Sequence, residues 1–427
     1  MKRLTLIALS VLALGGCKIS SAVPADSAAT ELGKKTCLNG AQPKGNSCTS
    51  TSTSTSTSTP TSTTPTPTTT TTTLVSPTLA GAAVIPDNFD DTQWLEPGEP
   101  PVTSPDPVGA FRFTCMAGQL LHDDPIVYPG QPGKSHLHQF FGNDGADASS
   151  DYQSLRTTGG STCTRSTGTS PQRTAYWMPA MLDGAGNAVK PDWVNTYYKR
   201  LPASDPGCAK TSDPAVVGKC VEMPNGLRFI LGYNMDTGKG GPTDVDSADY
   251  WAMGFDCMNR DVANEVSFTG VQHTIADILA TGKCPVGAWL RAFVRFPSCW
   301  DGKNLDVADH RSHITYGIPA VGCPADHPYV IPEIAIQAFF TTDANFLAGK
   351  WHLSSDEMMP GTVAGSTLHM DYFEAWSQVL KDLWNSNCID KHLTCSDGNV
   401  GDGRKIKGMQ LNNTFPNHVL VPLSSIP

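Results

Sequence analysis

Short apolar runs broken by glycine and proline constrain the fold of this chain more than any other feature. The 427 residues include 39 Gly and 33 Pro, which interrupt helices and the interiors of strands. Between these breaks, runs rich in aromatic and β-branched residues recur at 111–114, 176–178, 227–231, 289–296, 313–318 and 334–340. This pattern predicts a mainly β protein with loops, an antiparallel β-sandwich or jelly-roll-like core and a few short helices. Helical periodicity is clearest at 271–280 and 373–384.

The cysteines predict an exported fold that is stabilised by disulfides. The chain has 13 Cys; setting Cys17 aside leaves 13 − 1 = 12, and none of them forms a C-x-x-C pair. Their spacing argues against a zinc ribbon or a thioredoxin motif, and an even set is expected to be oxidised outside the cytosol. Sequence alone does not fix the connectivity, but three neighbouring pairs are candidates: Cys208 with Cys220, Cys299 with Cys323, and Cys388 with Cys395.

The N-terminus has the three parts of a secretory signal. A basic start is followed by an apolar run from Leu4 to Leu14 and by small residues up to Cys17. The sequence Leu14-Gly15-Gly16-Cys17 resembles a bacterial lipobox, which predicts a signal peptide over 1–17 and lipidation of Cys17. Lys18 favours anchoring at the outer membrane or cell surface. The alternative is an ordinary cleaved signal with an incidental cysteine.

A low-complexity tether separates this anchor from the rest of the chain. Residues 50–73 are almost entirely Ser, Thr and Pro, and such a segment cannot bury enough apolar area to fold. We therefore predict a tether over 18–82 and a single large folded domain over 83–427. A net charge of −10 gives no basic surface for a phosphate backbone, so we expect no nucleic-acid partner.

The segment from Asp124 to Asn143 is the best candidate for a functional site. His136 and His138 lie two positions apart between a Pro/Gly-rich loop and an aromatic pair. In an extended run, residues two apart point to the same face. Paired imidazoles are typical of transition-metal sites and also of acid/base chemistry near neutral pH.

A second candidate segment runs from Cys299 to His313 and is crowded with charged side chains. As a strand it would place Asp309, Arg311 and His313 on one face, whereas a helix would bring His310 and His313 together. We favour the strand, which makes His313 the better candidate of the two histidines.

A third candidate segment, 368–376, repeats the histidine spacing with a carboxylate. His369 and Asp371 are two apart and could face one way, just before a predicted aromatic helix. A common structural role for such an aspartate is to cap the start of a helix. His327 and Glu333, held between prolines, are further candidates.

These residues support two chemical interpretations. In the first, a divalent ion, of the zinc or the calcium class, is bound by His136, His138 and either His313 or His369, with Asp371 as a carboxylate ligand and an open position for water. In the second, no metal is needed: Asp306, Asp309 or Asp371 act as acid and base, aromatic side chains form a platform for a sugar chain, and a lyase variant uses Arg311 to neutralise a uronate. The platform candidates are Tyr128, Phe141, Trp177, Trp300 and Trp376. Purely structural packing of the histidines is the third option.

Several motifs resemble a secreted family of unassigned function, domain of unknown function nineteen ninety-six. The matching pieces include Ser135-His-Leu-His-Gln-Phe-Phe-Gly-Asn143, Cys299-Trp-Asp-Gly-Lys-Asn-Leu-Asp306, Asp309-His-Arg-Ser-His313 and His369 with Asp371-Tyr-Phe373. The resemblance covers roughly 107–376, although Met370 stands where family members often have glycine. The family's frequent occurrence beside carbohydrate-binding modules implies a polysaccharide target.

Taken together, these features predict a surface-anchored carbohydrate-active protein. The leading hypothesis is a polysaccharide hydrolase with a His-rich, metal-assisted centre. The alternatives are a non-catalytic module that binds glycan or builds the cell envelope, and a polysaccharide lyase. The expected partners are a polysaccharide or cell-wall glycan and, through the lipid anchor, a membrane.

Overall fold

The computed structural model describes residues 79–86, 89–164, 170–209, 219–261, 265–317, 322–409 and 418–427. The predicted signal peptide, Cys17 and most of the tether lie outside these residues. The described residues belong to one compact unit, Val75–Pro427. Its Leu79 already packs against the core, four positions before the predicted start of the domain. None of the described helices is long and apolar enough to cross a membrane.

Strands make up most of the regular structure. In chain order they are β1 (Leu95–Pro97), β2 (Val102–Thr103), β3 (Gly109–Cys115), β4 (Leu120–Leu121), β5 (His138–Gly142), β6 (Ala175–Pro179), β7 (Met181–Leu182), β8 (Asn187–Lys190), β9 (Trp193–Arg200), β10 (Lys219–Cys220), β11 (Arg228–Gly232), β12 (Met253–Met258), β13 (Trp289–Arg295), β14 (Cys299–Trp300), β15 (Ile314–Thr315), β16 (Tyr329–Val330), β17 (Glu333–Thr341), β18 (His352–Leu353), β19 (His369–Phe373), β20 (Leu393–Cys395), β21 (Arg404–Ile406) and β22 (Val419–Pro422).

The helices are short. They are α1 (Asp91–Trp94), α2 (Tyr152–Thr157), α3 (Pro206–Ala209), α4 (Asp249–Ala252), α5 (Ile275–Ala280), α6 (Ala344–Leu347) and α7 (Gln378–Trp384), with 3-10 turns at Asp356–Met358 and Leu423–Ser425 and a π turn at Asn385–Ile389.

Two sheets pack face to face around the core. One has five antiparallel strands in the order β11-β19-β6-β5-β4, and the other has seven in the order β12-β13-β17-β9-β3-β20-β2. Alternate residues of the smaller sheet point toward the larger one, and the hydroxyls of Tyr176 and Tyr198 meet between them at 2.6 Å. The prediction of a mainly β, antiparallel, disulfide-stabilised fold is therefore confirmed.

Five disulfides join the described cysteines. The three pairs predicted from their spacing, Cys208–Cys220, Cys299–Cys323 and Cys388–Cys395, are all present. Two further bonds join more distant cysteines, Cys115 with Cys163 and Cys257 with Cys284. The partners in these two bonds lie 48 and 27 positions apart, and the sequence did not single them out.

Two local predictions are wrong. The run from Asp309 to His313 forms a turn, because the Asp309 carboxylate accepts hydrogen bonds from the backbone N–H groups of Arg311 (3.0 Å) and Ser312 (2.9 Å). The helix expected to begin at Phe373 begins at Gln378 instead. Asp371 consequently lies inside β19 and does not cap a helix.

Candidate metal centre

The histidines of interest project from the outer face of the five-stranded sheet, the face that points away from the larger sheet. This face also carries the buried side chains Phe140, Trp177, Ile230 and Phe373. His138 opens β5 two residues before Phe140, and His369 opens β19 four residues before Phe373. The period-two alternation of strands therefore puts both imidazoles on the outer face.

Three imidazoles meet there. One ring nitrogen from each of His136, His138 and His369 lies within 4.8 Å of the other two. The centroid of the His136 ring is 4.1 Å from that of the His138 ring and 5.0 Å from that of the His369 ring. Within the part of the chain that the structure describes, no other set of three or more His, Cys, Asp or Glu has this geometry. We refer to these three residues as the His cluster.

Backbone carbonyls fix the tautomers of two rings. The Nδ1 atom of His138 lies 2.9 Å from the carbonyl oxygen of Asp123, and that of His369 lies 2.9 Å from the carbonyl oxygen of Thr367. A carbonyl can only accept, so each Nδ1 carries the proton of the neutral ring. The lone pair is consequently on Nε2, which is the arrangement of a metal-binding histidine.

The environment keeps the rings neutral. Burial is the main cause that lowers the pKa of all three, and the neighbouring imidazole lowers it further. For His138 the pKa falls to about 3. The Nε2 atoms of His136 and His138 are buried without a hydrogen-bond partner, which is costly unless a ligand satisfies them. His136 is only partly buried, so the His cluster borders solvent on its side.

Asp356 supports His369 without contacting it. One oxygen of its carboxylate accepts hydrogen bonds from the Thr367 hydroxyl at 2.6 Å and the Thr367 N–H at 3.2 Å. The other accepts from the N–H groups of Leu353 and Gly365, at 2.8 and 2.7 Å. Asp356 thereby holds the carbonyl that orients the imidazole. Nothing in the sequence pointed to this residue, because its role depends on the contact between Asp356 and the segment Gly365–Thr367, which only the folded chain brings together.

Asp123 has the equivalent role for His138. Its carboxylate accepts from the N–H groups of Gly133 (2.9 Å) and Ala148 (3.1 Å). These bonds tie two loops to the residue whose own carbonyl accepts from the imidazole. Sequence analysis also missed Asp123, although it directly precedes the candidate segment.

Asp371 lies on the same face as His369 but is not part of the His cluster. Both of its carboxyl oxygens are buried without a hydrogen-bond partner. Burial, and then the nearby Asp124, raise the pKa of Asp371 well above its ordinary value, which the charge of Arg311 only partly opposes. The expectation that Asp371 lies within ligand reach of all three histidines is wrong. Its carboxyl is instead a candidate proton donor, because the raised pKa favours its protonated form.

His313 also lies outside the His cluster, so the prediction that it is a ligand is wrong. Its Nε2 is 3.0 Å from the carbonyl oxygen of Arg228, and its ring is not among the three whose nitrogens converge. His310 is bonded to a carboxylate, with its Nδ1 2.7 Å from Asp306.

The proposed acids Asp306 and Asp309 have structural contacts. Asp306 pairs with Arg228 at 2.8 Å and with His310. Asp309 orders the turn that leads into Arg311. The structure does not bring either carboxylate into the His cluster.

The predicted aromatic platform is largely absent. Phe141, Trp177, Trp300 and Trp376 are each fully buried, with 0% of their surface exposed, so the prediction that these four rings stack on a sugar chain is wrong. Phe141 and Trp376 pack between the two sheets against Tyr176 and Tyr198. Tyr128 is partly exposed and stays a candidate.

Comparison with known proteins places the site in one family. A model described as a domain of unknown function (DUF1996) matches residues 124–376. The match spans more than half of the chain and contains the whole His cluster. No curated protein and no solved structure matches the chain.

Proposed function

Since this chain belongs to the DUF1996 family, whose function is unknown, we propose an activity from the site itself: a metal-dependent hydrolase in which the His cluster binds one ion. The observation that carries the proposal is the convergence of three ring nitrogens within 4.8 Å. Neutral tautomers with their lone pairs on Nε2 support it, because metal ligation requires the unprotonated nitrogen.

The donor set favours a transition metal of the zinc type. Imidazole nitrogens suit zinc, copper, iron and nickel, whereas calcium and magnesium prefer six or more oxygen ligands. The sequence left the zinc and calcium classes open, and the absence of a carboxylate from the His cluster favours the first.

Three protein ligands leave room for water or substrate on the metal. An ion bound in this way would act as a Lewis acid and lower the pKa of a coordinated water. The chain itself supplies a second group, because the raised pKa of Asp371 favours the protonated form of its carboxyl. On the same face as His369, this carboxyl could protonate a leaving group.

A glycan is the proposed substrate, and the cell surface the proposed location. The association of similar proteins with carbohydrate-binding modules supports the first. The lipobox-like Cys17 and the Ser/Thr/Pro tether support the second, with the membrane as a partner through the lipid. The lyase alternative shares this site. A purely glycan-binding module is less well supported, because four of its five platform residues are buried.

Metal content tests the proposal most directly. The full-length protein and its His136→Ala variant would be loaded with zinc, dialysed and measured by elemental mass spectrometry, with His313→Ala as the matched control. We expect about one zinc per chain in the wild type and the control, and loss in His136→Ala. A wild type that holds no metal after loading would refute the metal centre. A screen of polysaccharides with and without chelator then tests hydrolysis.

A further inference from the structure

We propose that Arg311 binds a carboxylate of the substrate, so that the centre acts on an acidic polymer containing uronic acid units. This inference rests on the proposed function, because it names the substrate class of that same site. It is carried by the position of Arg311, by the lack of an ion-pair partner for it within the described ranges, and by the number of its free donors.

Arg311 is fixed beside the His cluster by the backbone. Its Nη1 donates to the carbonyl of Gly232 at 2.9 Å, and its Nη2 donates to that of Tyr233 at 3.3 Å. Gly232 is the residue that pairs with His369 across β11 and β19. The guanidinium is therefore held one strand away from a proposed metal ligand.

The positive charge of Arg311 has no counter-ion among the described residues. None of their carboxylates lies within the 4.0 Å of an ion pair with this side chain. The acids with the strongest influence on it, Asp371 and Asp249, are themselves buried.

A partly buried cation without an ion-pair partner among the described residues is energetically unfavourable. An anion supplied from outside would remove that cost. A guanidinium has five N–H donors, and only two are used here, so the remaining part of the planar fork can bind both oxygens of a carboxylate. The hydroxyls of a neutral glucan would satisfy the hydrogen bonds but not the charge.

Arg228 provides a matched comparison, because it lies at the start of β11 whereas Arg311 bonds the carbonyl at the end of the same strand. It begins β11, pairs with Asp306 at 2.8 Å and lies over the ring of Phe373 at 5.1 Å. Its charge is already compensated, so we expect no role for it in anion binding. The contrast isolates what is particular to Arg311.

The test uses glucuronate as the probe and glucose as the neutral control. Binding of each to zinc-loaded full-length protein would be measured by isothermal titration calorimetry for the wild type, Arg311→Gln and Arg228→Gln. We expect the wild type and Arg228→Gln to bind glucuronate at least tenfold more tightly than glucose. In Arg311→Gln we expect this preference to disappear while the zinc content is retained.

Equal affinity of the wild type for both sugars, or an undiminished preference in Arg311→Gln, would overturn the inference. If circular dichroism shows that Arg311→Gln is unfolded, Arg311→Lys replaces it; loss of the planar fork is expected to weaken the preference several-fold, and an unchanged preference would count against Arg311. If the wild type binds no zinc but still prefers glucuronate, and Arg311→Gln removes that preference, only the metal centre would be refuted.

Discussion

Two histidine-bearing regions of this protein look alike in sequence and differ in what their rings can bind. The first is the His cluster, and the second is the turn that carries His310 and His313. In the second region His313 uses Nε2 to bond the carbonyl of Arg228, and His310 bonds the carboxylate of Asp306. In the first, the bonds to carbonyls are made through Nδ1, and Nε2 stays available. The Nδ1 of His313 is also buried without a hydrogen-bond partner among the described residues, so a free ring nitrogen alone does not make a site. The convergence of three rings separates the His cluster from a structural contact.

The difference arises from the elements that carry the rings. β5 and β19 lie on either side of β6 in one sheet, so strand alternation brings His138 and His369 to one face. The 309–313 segment is a turn in which the left-handed backbone of His310, with φ of 55°, turns successive side chains in different directions. A sheet can therefore assemble distant residues in a regular way that the turn cannot.

Replacing one ring in each region should break the comparison most strongly. We expect His369→Gln to lower zinc affinity on the order of 100-fold or more, because one of three protein ligands is lost. His313→Gln should leave that affinity within about twofold, which is roughly the error of such a measurement. Its Nε2 bonds a carbonyl, and its ring is not one of the His cluster. Competition with a chromophoric chelator measures both. Equal losses in the two variants would show that the regions do not differ as described.

The dependence of stability on pH should distinguish the two regions by a smaller amount. In the metal-free protein the pKa of His138 is about 3, whereas the unfolded chain titrates near 6.5. This lowered pKa contributes stability that is present above pH ~6.5 and is lost progressively as the pH falls toward 3. At pH 5 the loss from His138 alone is about 2 kcal/mol, taking about 1.4 kcal/mol per pH unit.

His138→Gln should remove this part of the acid sensitivity. The free energy of unfolding in urea would be measured at pH 7.5 and pH 5.0 for chelator-treated wild type, His138→Gln and His313→Gln. Burial also lowers the pKa of His313, but its bond to the Arg228 carbonyl opposes the shift, so its removal should change the pH dependence less. An unchanged pH dependence in His138→Gln would contradict the prediction.

Replacing one carboxylate in each region is expected to change zinc affinity the least. Asp356→Asn should weaken zinc binding about tenfold, because residues that orient a ligand through a second hydrogen bond contribute at least that much. Asp306→Asn removes the partner of His310 and should leave zinc affinity unchanged. Chelator competition, with far-ultraviolet circular dichroism as a check on folding, compares the two. Zinc affinity that is equal to wild type in Asp356→Asn would mean that the Thr367 carbonyl is held without it.

Sequence patterns predicted the local features of the fold well. The β-sandwich class, the short disulfide loops and the common direction of His136 and His138 all follow from contacts within a few residues. In the described part of the predicted strand at 313–318, which ends at residue 317, the strand covers Ile314–Thr315. It starts one residue late because the turn around Asp309 extends to His313. The predicted helix from Phe373 begins only at Gln378, since Phe373 is the last residue of β19 and Trp376 forms a further β-bridge with Gln172.

Burial and long-range pairing could not be predicted in this way. An aromatic residue reads the same in the sequence whether its ring faces solvent or the space between two sheets. Only the packing of the two sheets decided that Phe141 and Trp376 are buried. Likewise, His313 and its partner Arg228 are 85 residues apart in sequence, so no local pattern could show that its Nε2 is occupied.

The sequence by itself determined that this protein is β-rich, cross-linked and equipped with histidines at strand spacing, because these properties depend on residue type and near neighbours. Only the tertiary structure decided which three histidines converge, which ring nitrogen His138 and His369 use to bond a carbonyl, and that no carboxylate of the described residues pairs with Arg311. Those properties depend on hydrogen bonds and charges supplied by distant segments, and burial in the folded protein determines how strongly each of them acts.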